Sequence, residues 1–142
     1  MNKLTVVVDA DALVALEDIR DVFHHRVQKL ALLLVASNSR IIYPTTAICE
    51  AASHIQRVLN NNASAQNLVN LLVSSRAEIA DVDRQTLNSA AKIFSEQGSK
   101  QNTIFDCVVV AVAKEKKADA ILSWDKFYQK QGFQPLEELI AE

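Results

Sequence analysis

The feature that most constrains the fold of this chain is the alternation of short apolar runs with longer stretches of helical periodicity. Residues 4–8 are almost continuously apolar, as is typical of a central parallel strand covered on both faces. Further strand signals follow at residues 41–43, 77–80 and 120–123. Because helical stretches separate these strands, we expect an α/β fold, a three-layer α/β/α sandwich around a central parallel sheet.

Periodicity and capping residues predict helices around the sheet. They are expected near residues 12–18, 23–34, 46–60, 64–75, 83–97, 103–117 and 136–141. Asp83 is a predicted N-cap, and Gly98 is a predicted helix stop. The run 108–113 is rich in β-branched residues, but its length together with the flanking residues favours a helix over a strand.

The length and composition indicate one compact domain spanning residues 1–142. Hydrophobic residues make up 49% of the chain and Gly and Pro are scarce, which excludes a disordered chain. The net charge of −2 gives no general basic surface, so any contact with nucleic acid must come from local patches. No apolar run is long enough to cross a bilayer and no signal-peptide core is present, so we expect a cytoplasmic protein without a membrane contact.

Four isolated carboxylates stand in apolar surroundings, where an acid needs compensation. Asp9 directly follows the first strand signal, and Asp125 follows the last. Asp106 is the only charge in an otherwise apolar stretch, and Glu50 lies inside an apolar helical pattern. The cysteines and histidines show no zinc-type spacing. A hard divalent cation is the obvious compensator, so the pattern points to a Mg²⁺- or Mn²⁺-dependent phosphoryl-transfer enzyme.

Each of these acids also has an ordinary structural interpretation. Ligands of open α/β sheets bind beyond the carboxyl ends of strands, where Asp9 and Asp125 fall. However, Asp9 or Asp11 could equally cap the first helix, and Asp125 could cap a turn. Thr103 and Asp106 fit a capping box, which is compatible with metal binding because the first turn of a helix favours an anion.

Glu50 shares one helical stripe with Thr46, Ser53, His54 and Arg57. A stripe that carries Glu, His and Arg suits the wall of a groove that contacts phosphates. A solvated helix face explains the same periodicity equally well. Periodicity alone does not establish whether the four acids meet.

Four segments, taken together, resemble the PIN-domain family. They are residues 6–9, 46–50, 105–113 and 118–127, which read VVVD, TAICE, FDCVVVAVA and ADAILSWDKF. Their order, spacing and flanking residues match the family over essentially the whole chain, and the last segment is the most specific. In this family four acids converge on a divalent-metal site that cuts RNA.

The resemblance implies a metal-dependent ribonuclease that hydrolyses phosphodiester bonds in single-stranded or structured RNA. It carries the catalytic and metal-binding roles to Asp9, Glu50, Asp106 and Asp125, with Mg²⁺ or Mn²⁺ as the cofactor. Asp9 and Asp106 would contact the metal directly, and the other two acids would complete the site directly or through waters.

Three more polar residues follow from the same resemblance. Ser123 falls where the family usually has Thr or Ser, and it would orient a carboxylate or a water near the metal. Asn102 lies just ahead of the third acid and is a candidate contact to the site or to the substrate. Asp11 stands where the family commonly has Ser, Thr or Asn; it would hold water on a second metal or cap the following helix, and we favour the cap.

Partners follow from position and from the resemblance. The basic residues that would bind RNA are Arg57, Lys100, Lys126 and Lys130. A short PIN domain most resembles the toxin of a bacterial VapBC toxin–antitoxin pair, which implies a small antitoxin protein as a partner and a homodimer.

Two other functions compete with the nuclease. The Asp9-Ala10-Asp11 sequence after an apolar strand resembles the motif of haloacid-dehalogenase-type phosphatases, in which Asp9 would be the nucleophile. That family's later pair of acids is missing here, and the motif explains neither Glu50 nor Asp106. The second alternative is a PIN fold that binds protein or RNA without cutting, which loss of an acid would support; all four acids are present.

Overall fold

The computed structural model describes residues 2–141. The strands are β1 (Thr5–Val8), β2 (Arg40–Pro44), β3 (Glu78–Ala80) and β4 (Ala120–Leu122). The helices are α1 (Ala10–Glu17), α2 (His24–Ala36), α3 (Thr45–Arg57), α4 (Asn62–Ser74), α5 (Arg84–Gln97), α6 (Ile104–Glu115), α7 (Phe127–Lys130) and α8 (Leu136–Ala141).

The predicted strands and helices are present, and α7 is an addition to them. The largest difference is at the end of α3, which stops at Arg57 instead of continuing to residue 60. Asn60 has a φ of 51°, in the left-handed region that a right-handed helix does not contain. The predicted caps of α5 are confirmed, because Asp83 accepts from the Thr86 N–H and Gly98 adopts a left-handed conformation.

The four strands form one parallel sheet in the order β3-β2-β1-β4. Val6 and Val8 of β1 face one side of the sheet, where they pack with residues of α1, α2, α3 and α4. Val7 faces the other side and packs with residues of α5 and α6. This alternation follows from the two-residue period of a strand. The predicted three-layer α/β/α sandwich is confirmed.

Helix α6 covers the second face of the sheet and is the most buried helix segment. Every residue of its 107–113 stretch is buried. A helix that is apolar on all sides is buried on all sides, so the β-branched composition does not turn this stretch into a strand. The first turn of α6, which carries Asp106, lies near the carboxyl ends of the central strands.

Strand β1 marks the point where the chain changes direction across the sheet. From β1 the chain adds β2 and β3 on one side, and it then returns to place β4 on the other side. Such a switch point opens a crevice beyond the carboxyl ends of the two strands, here β1 and β4. Within residues 2–141, none of the helices has the length and hydrophobicity needed to cross a membrane.

Candidate active site

A cavity of about 490 Å³ lies at the carboxyl ends of β1 and β4. Its acidic lining consists of Asp9, Asp11, Asp21, Glu50, Asp106 and Asp125. Among the described residues, no Lys or Arg lines the cavity, and His54 is the one basic side chain there. The fold therefore brings together the four acids that the sequence places on four separate elements.

Asp9 is the most deeply placed of these acids, with 4% of its surface exposed. It caps α1, because its Oδ1 accepts a hydrogen bond of 2.6 Å from the Ala10 N–H. Its Oδ2 accepts a hydrogen bond of 2.6 Å from the hydroxyl of Tyr128. Burial, and next the charge of Asp11, raise the pKa of Asp9 to about 8. Without a cation beside it, burial therefore favours the protonated form of this carboxyl group.

Asp106 lies in the first turn of α6 and forms the predicted capping box with Thr103. Its Oδ2 accepts hydrogen bonds from the Thr103 N–H at 3.1 Å and from the Asn102 amide at 3.2 Å. Its Oδ1 lies 3.4 Å from the hydroxyl of Tyr128. Burial raises the pKa of Asp106 despite these donors. The capping role and a place at the cavity therefore coexist in one side chain.

Asp125 is joined to Asp106 through Asn102. The amide nitrogen of Asn102 donates to Oδ2 of Asp125 at 2.8 Å and to Oδ2 of Asp106 at 3.2 Å. The other oxygen of Asp125 accepts from the Phe127 N–H at 2.9 Å, so the predicted turn cap is also present. Asn102 thus offsets part of the repulsion between two carboxylates by donating a hydrogen bond to each.

Glu50 reaches the cavity from α3 and is partly exposed. Burial, and next the charges of Asp106 and Asp11, raise the pKa of Glu50 to about 7. Glu50 and His54 both line the cavity, so the polar stripe of α3 faces the site at these positions. At the same stripe's far end, Arg57 is exposed to solvent.

The N-cap of α1 is Asp9 and not Asp11, which lies in the first turn and whose Oδ1 accepts from the Ala12 N–H at 2.7 Å. Oδ2 of Asp11 accepts from the Ser123 hydroxyl at 2.7 Å and from the Trp124 N–H at 2.9 Å. The Ser123 oxygen in turn accepts from the Asp125 N–H at 3.1 Å. The physical reason is the adjacency of β1 and β4, which puts the first turn of α1 against the end of β4. Ser123 therefore contacts a carboxylate, that of Asp11.

The sequence patterns do not predict Tyr128 as a site residue. It lies in α7, a helix of four residues that is too short to show a period. Burial and the charge of Asp9 raise the pKa of Tyr128 far above its usual range, so its hydroxyl remains a donor. The one signal in the sequence is a polar-tipped aromatic side chain beside Phe127, close to Asp125.

The four basic residues predicted to bind RNA lie outside the cavity lining. Arg57 ends α3, Lys100 precedes α6, and Lys126 and Lys130 lie at the two ends of α7. All four are exposed. His54, one turn before Arg57, lines the cavity instead. A contact between RNA and the four predicted residues stays a prediction.

The chemistry of the lining fits a hard divalent cation. Carboxylate oxygens are the ligands that Mg²⁺ prefers, and several of these acids have pKa values raised by burial without a lining Lys or Arg to offset them. Within residues 2–141, no three His, Cys, Asp or Glu side chains are arranged to hold an ion directly. Mg²⁺ usually keeps several waters and takes one or two carboxylates, so such a site does not require three direct ligands.

Residues 6–133 of the chain match the PIN domain family. The chain belongs to the PIN domain family. This match spans the strands and helices that build the cavity, from β1 through α7. No curated protein sequence matches the chain.

Two solved structures share the PIN fold described here. VapC20 of Mycobacterium tuberculosis, described as a toxin that cleaves the sarcin–ricin loop, superposes with a TM-score of 0.80 at 16% identity. That similarity covers 91% of this chain and 96% of VapC20. FitAcB of Neisseria gonorrhoeae superposes with a TM-score of 0.59 at 16% identity, covering 85% of this chain and 88% of that one. At such identity the similarity establishes the fold.

Proposed function

We propose that this protein is a divalent-metal-dependent endoribonuclease, acting as a single PIN nuclease domain through Asp9, Glu50, Asp106 and Asp125. The observation that carries the proposal is the meeting of these four acids in one cavity of a PIN-family chain. Buried carboxylates without a compensating charge are costly, and a Mg²⁺ or Mn²⁺ ion removes that cost.

The side chains divide the work according to their contacts. Asp9 and Asp106 would hold the ion directly, and Glu50 and Asp125 would complete the site directly or through waters. When bound, such an ion lowers the pKa of a water and offsets charge on the leaving oxygen of a phosphodiester. Tyr128 and Asn102 orient the carboxylates by hydrogen bonding, as partners of metal ligands do in other proteins.

The polar contacts of Asp11 and Ser123 support a positioning role at the end of β4. Through them the loop that carries Asp125 is fixed against the first turn of α1. We include neither residue among the direct metal ligands.

The substrate we propose is single-stranded or looped RNA, because unstacked bases are accessible to side chains. Arg57, Lys100, Lys126 and Lys130 would contact its backbone outside the cavity. The PIN fold shared with the VapC20 toxin supports a role as the toxin of a toxin–antitoxin pair. The proposal then includes a small antitoxin protein as partner, a homodimer, and action on cytoplasmic RNA.

The phosphatase and the binding-module alternatives have less support. In the phosphatase, Asp11 would need a free carboxyl group, but this group is engaged by Ser123 and by the Trp124 N–H. A binding module would have no use for uncompensated acids in one cavity.

The test is cleavage of labelled single-stranded RNA by the purified protein with Mg²⁺, with Mn²⁺ and with EDTA. The variants are Asp9→Asn and Asp106→Asn, which keep the shape of the side chain and remove its charge. The matched control is Asp81→Asn, an exposed acid after β3. We expect metal-dependent cutting that is lost in the first two variants and kept in the control.

Cutting that survives both site substitutions would rule out the four-acid site. Turnover of p-nitrophenyl phosphate, a small phosphomonoester, by the unmodified protein would favour the phosphatase. Growth arrest on expression in bacteria, lost in Asp9→Asn, is the expected result for a toxin.

A further inference from the structure

The cavity has an apolar wall as well as an acidic one. Its apolar lining includes Val14, Val22, Phe23 and Trp124. The rings of Phe23 and Trp124 stack with centroids 4.4 Å apart and an interplanar angle of 17°. Val22, which precedes Phe23 in the chain, is 89% exposed. An exposed valine beside two aromatic rings is an unusual surface at the mouth of an acidic cavity.

The two aromatic rings are fixed by contacts with the hydrophobic core and with Arg26. Both rings pack against the core cluster that contains Val8 and Leu122, and both remain half-buried. The guanidinium group of Arg26 lies 5.3 Å from the Trp124 ring centroid and 5.9 Å from that of Phe23. Arg26 also pairs with Glu137 of α8. Because these contacts fix the rings in advance, a ligand would lose little free energy in ordering them.

Trp124 also connects the apolar wall of the cavity to the acidic one. Its backbone N–H donates to Asp11, and it lies directly between Ser123 and Asp125 in the chain. The indole therefore lies in the same short segment after β4 as Asp125, and a backbone hydrogen bond joins that segment to Asp11. A ligand that fills the whole cavity must combine a flat apolar face with a group that a metal-loaded acidic cluster attracts. A nucleotide has this combination, with its base for the rings and its phosphate for a metal ion that the acids would hold.

We propose that Val22, Phe23 and Trp124 form a nucleobase subsite, which receives one unpaired base next to the phosphate held at the carboxylates. The inference rests on the proposed function, since it assigns the phosphate to the same acids. Stacking on an aromatic side chain accepts any base, because every base has a flat face. A base in a duplex hides that face, so the subsite selects unpaired nucleotides and contributes little preference among the four bases.

The test compares two probes that differ by the base, adenosine 5′-monophosphate and ribose 5-phosphate, each with Mg²⁺. Trp124 is the one tryptophan of the chain, so its fluorescence reports on the subsite directly. We expect saturable quenching by the nucleotide and none by the sugar phosphate. Calorimetry should show that the nucleotide binds about tenfold or more tightly, as expected for one base stacked on an aromatic side chain.

Two variants separate the base from the phosphate. Phe23→Leu removes a ring and keeps an apolar side chain, and Val22→Ser alters an exposed side chain outside the hydrophobic core. Both should weaken nucleotide binding several-fold and leave ribose 5-phosphate binding unchanged. The matched control is Phe94→Leu, a partly exposed phenylalanine on α5, which should change neither. Thermal melting verifies that each variant is folded.

Equal binding of the two probes, including no binding of either at millimolar concentration, would overturn the subsite. So would equal losses for both probes in Val22→Ser. The readout is independent of cleavage: metal-dependent cutting without base-dependent binding leaves the nuclease and removes the subsite. Base-dependent binding by a protein that cuts no RNA leaves the subsite and removes the nuclease.

Discussion

The hydroxyl group of Tyr128 donates a hydrogen bond of 2.6 Å to Oδ2 of Asp9. The same hydroxyl lies 3.4 Å from Oδ1 of Asp106, so one phenol contacts a carboxylate at the N-cap of α1 and one in the first turn of α6. Tyr128 is itself buried, and its ring packs edge-on against Phe127. The geometry of the two acids therefore depends on a residue that carries no charge.

Tyr128→Phe should weaken Mn²⁺ binding while leaving the fold intact. Loss of the donor leaves Asp9 with less stabilisation of its charged form, so a metal must displace a more tightly held proton. Loss of such a partner of a metal ligand typically costs about 10- to 100-fold in affinity. Isothermal calorimetry with Mn²⁺ at pH 7 measures the effect.

The matched control is Tyr43→Phe, because Tyr43 is the chain's other tyrosine and lies in β2 away from the cavity lining. It should bind Mn²⁺ as the unmodified protein does. Unchanged affinity in Tyr128→Phe would show that the hydrogen bond to Asp9 does not support metal binding.

Asn102→Ala should destabilise the metal-free protein more at pH 8 than at pH 3, because burial raises the pKa of Asp106 above 3.8 and this group is protonated at the lower pH. The amide of Asn102 separates Asp106 from Asp125, and at high pH their charges repel without it. Urea unfolding at the two pH values measures the difference, and Mg²⁺ should reduce it. Gln101→Ala, at the exposed neighbouring position, is the control. A loss of stability that is equal at both pH values would contradict the electrostatic role.

Asp11→Ala should lower the free energy of unfolding by about 2 kcal/mol, since it leaves the Ser123 hydroxyl and the Trp124 N–H without their acceptor. Asp11→Asn keeps one acceptor oxygen and should cost less. Chemical denaturation followed by Trp124 fluorescence is the measurement, with Asp81→Ala as the exposed control. If Asp11→Ala is as stable as the control, the link between α1 and β4 contributes nothing.

Without metal, the stability of the protein should fall as the pH rises from about 4 to about 8. Burial raises the pKa of Asp9 from 3.8 to about 8 in the folded protein. Folding therefore favours the protonated acid: this contribution is complete below the unfolded-state pKa and is lost as the pH rises through the folded-state pKa. Glu50, whose pKa is raised to about 7, acts in the same direction.

Divalent metal should reverse this trend, because it binds the ionised acids. The increase in Tm caused by Mn²⁺ should be larger at pH 8 than at pH 6, and affinity should rise about tenfold per pH unit for each proton displaced. Thermal melting across this pH range, with Mn²⁺ and with EDTA, measures both effects. In Asp9→Asn the loss of stability with rising pH, measured without metal, should be smaller. An unchanged loss would show that groups other than Asp9 cause it.

The order of strands and helices could be predicted from the sequence because each depends on neighbouring residues. The apolar run that became β1, the capping box of α6 and the αL stop at Gly98 all follow from local rules. Helix α7 was not predicted, because a helix of four residues is too short to show a hydrophobic period.

The sequence was enough to predict the four acids of the site, through strand ends and a resemblance to the PIN family. They are Asp9, Glu50, Asp106 and Asp125. Their meeting in one cavity was decided by tertiary structure, because it requires β4 to return beside β1. The same return gave Asp11 a hydrogen bond across 112 residues of chain to Ser123, besides its local contact with the Ala12 N–H. It also brought Tyr128 to Asp9 across 119 residues, a contact that no local pattern encodes. Local rules fix which side chains can serve at each position, whereas long-range packing decides which of them touch.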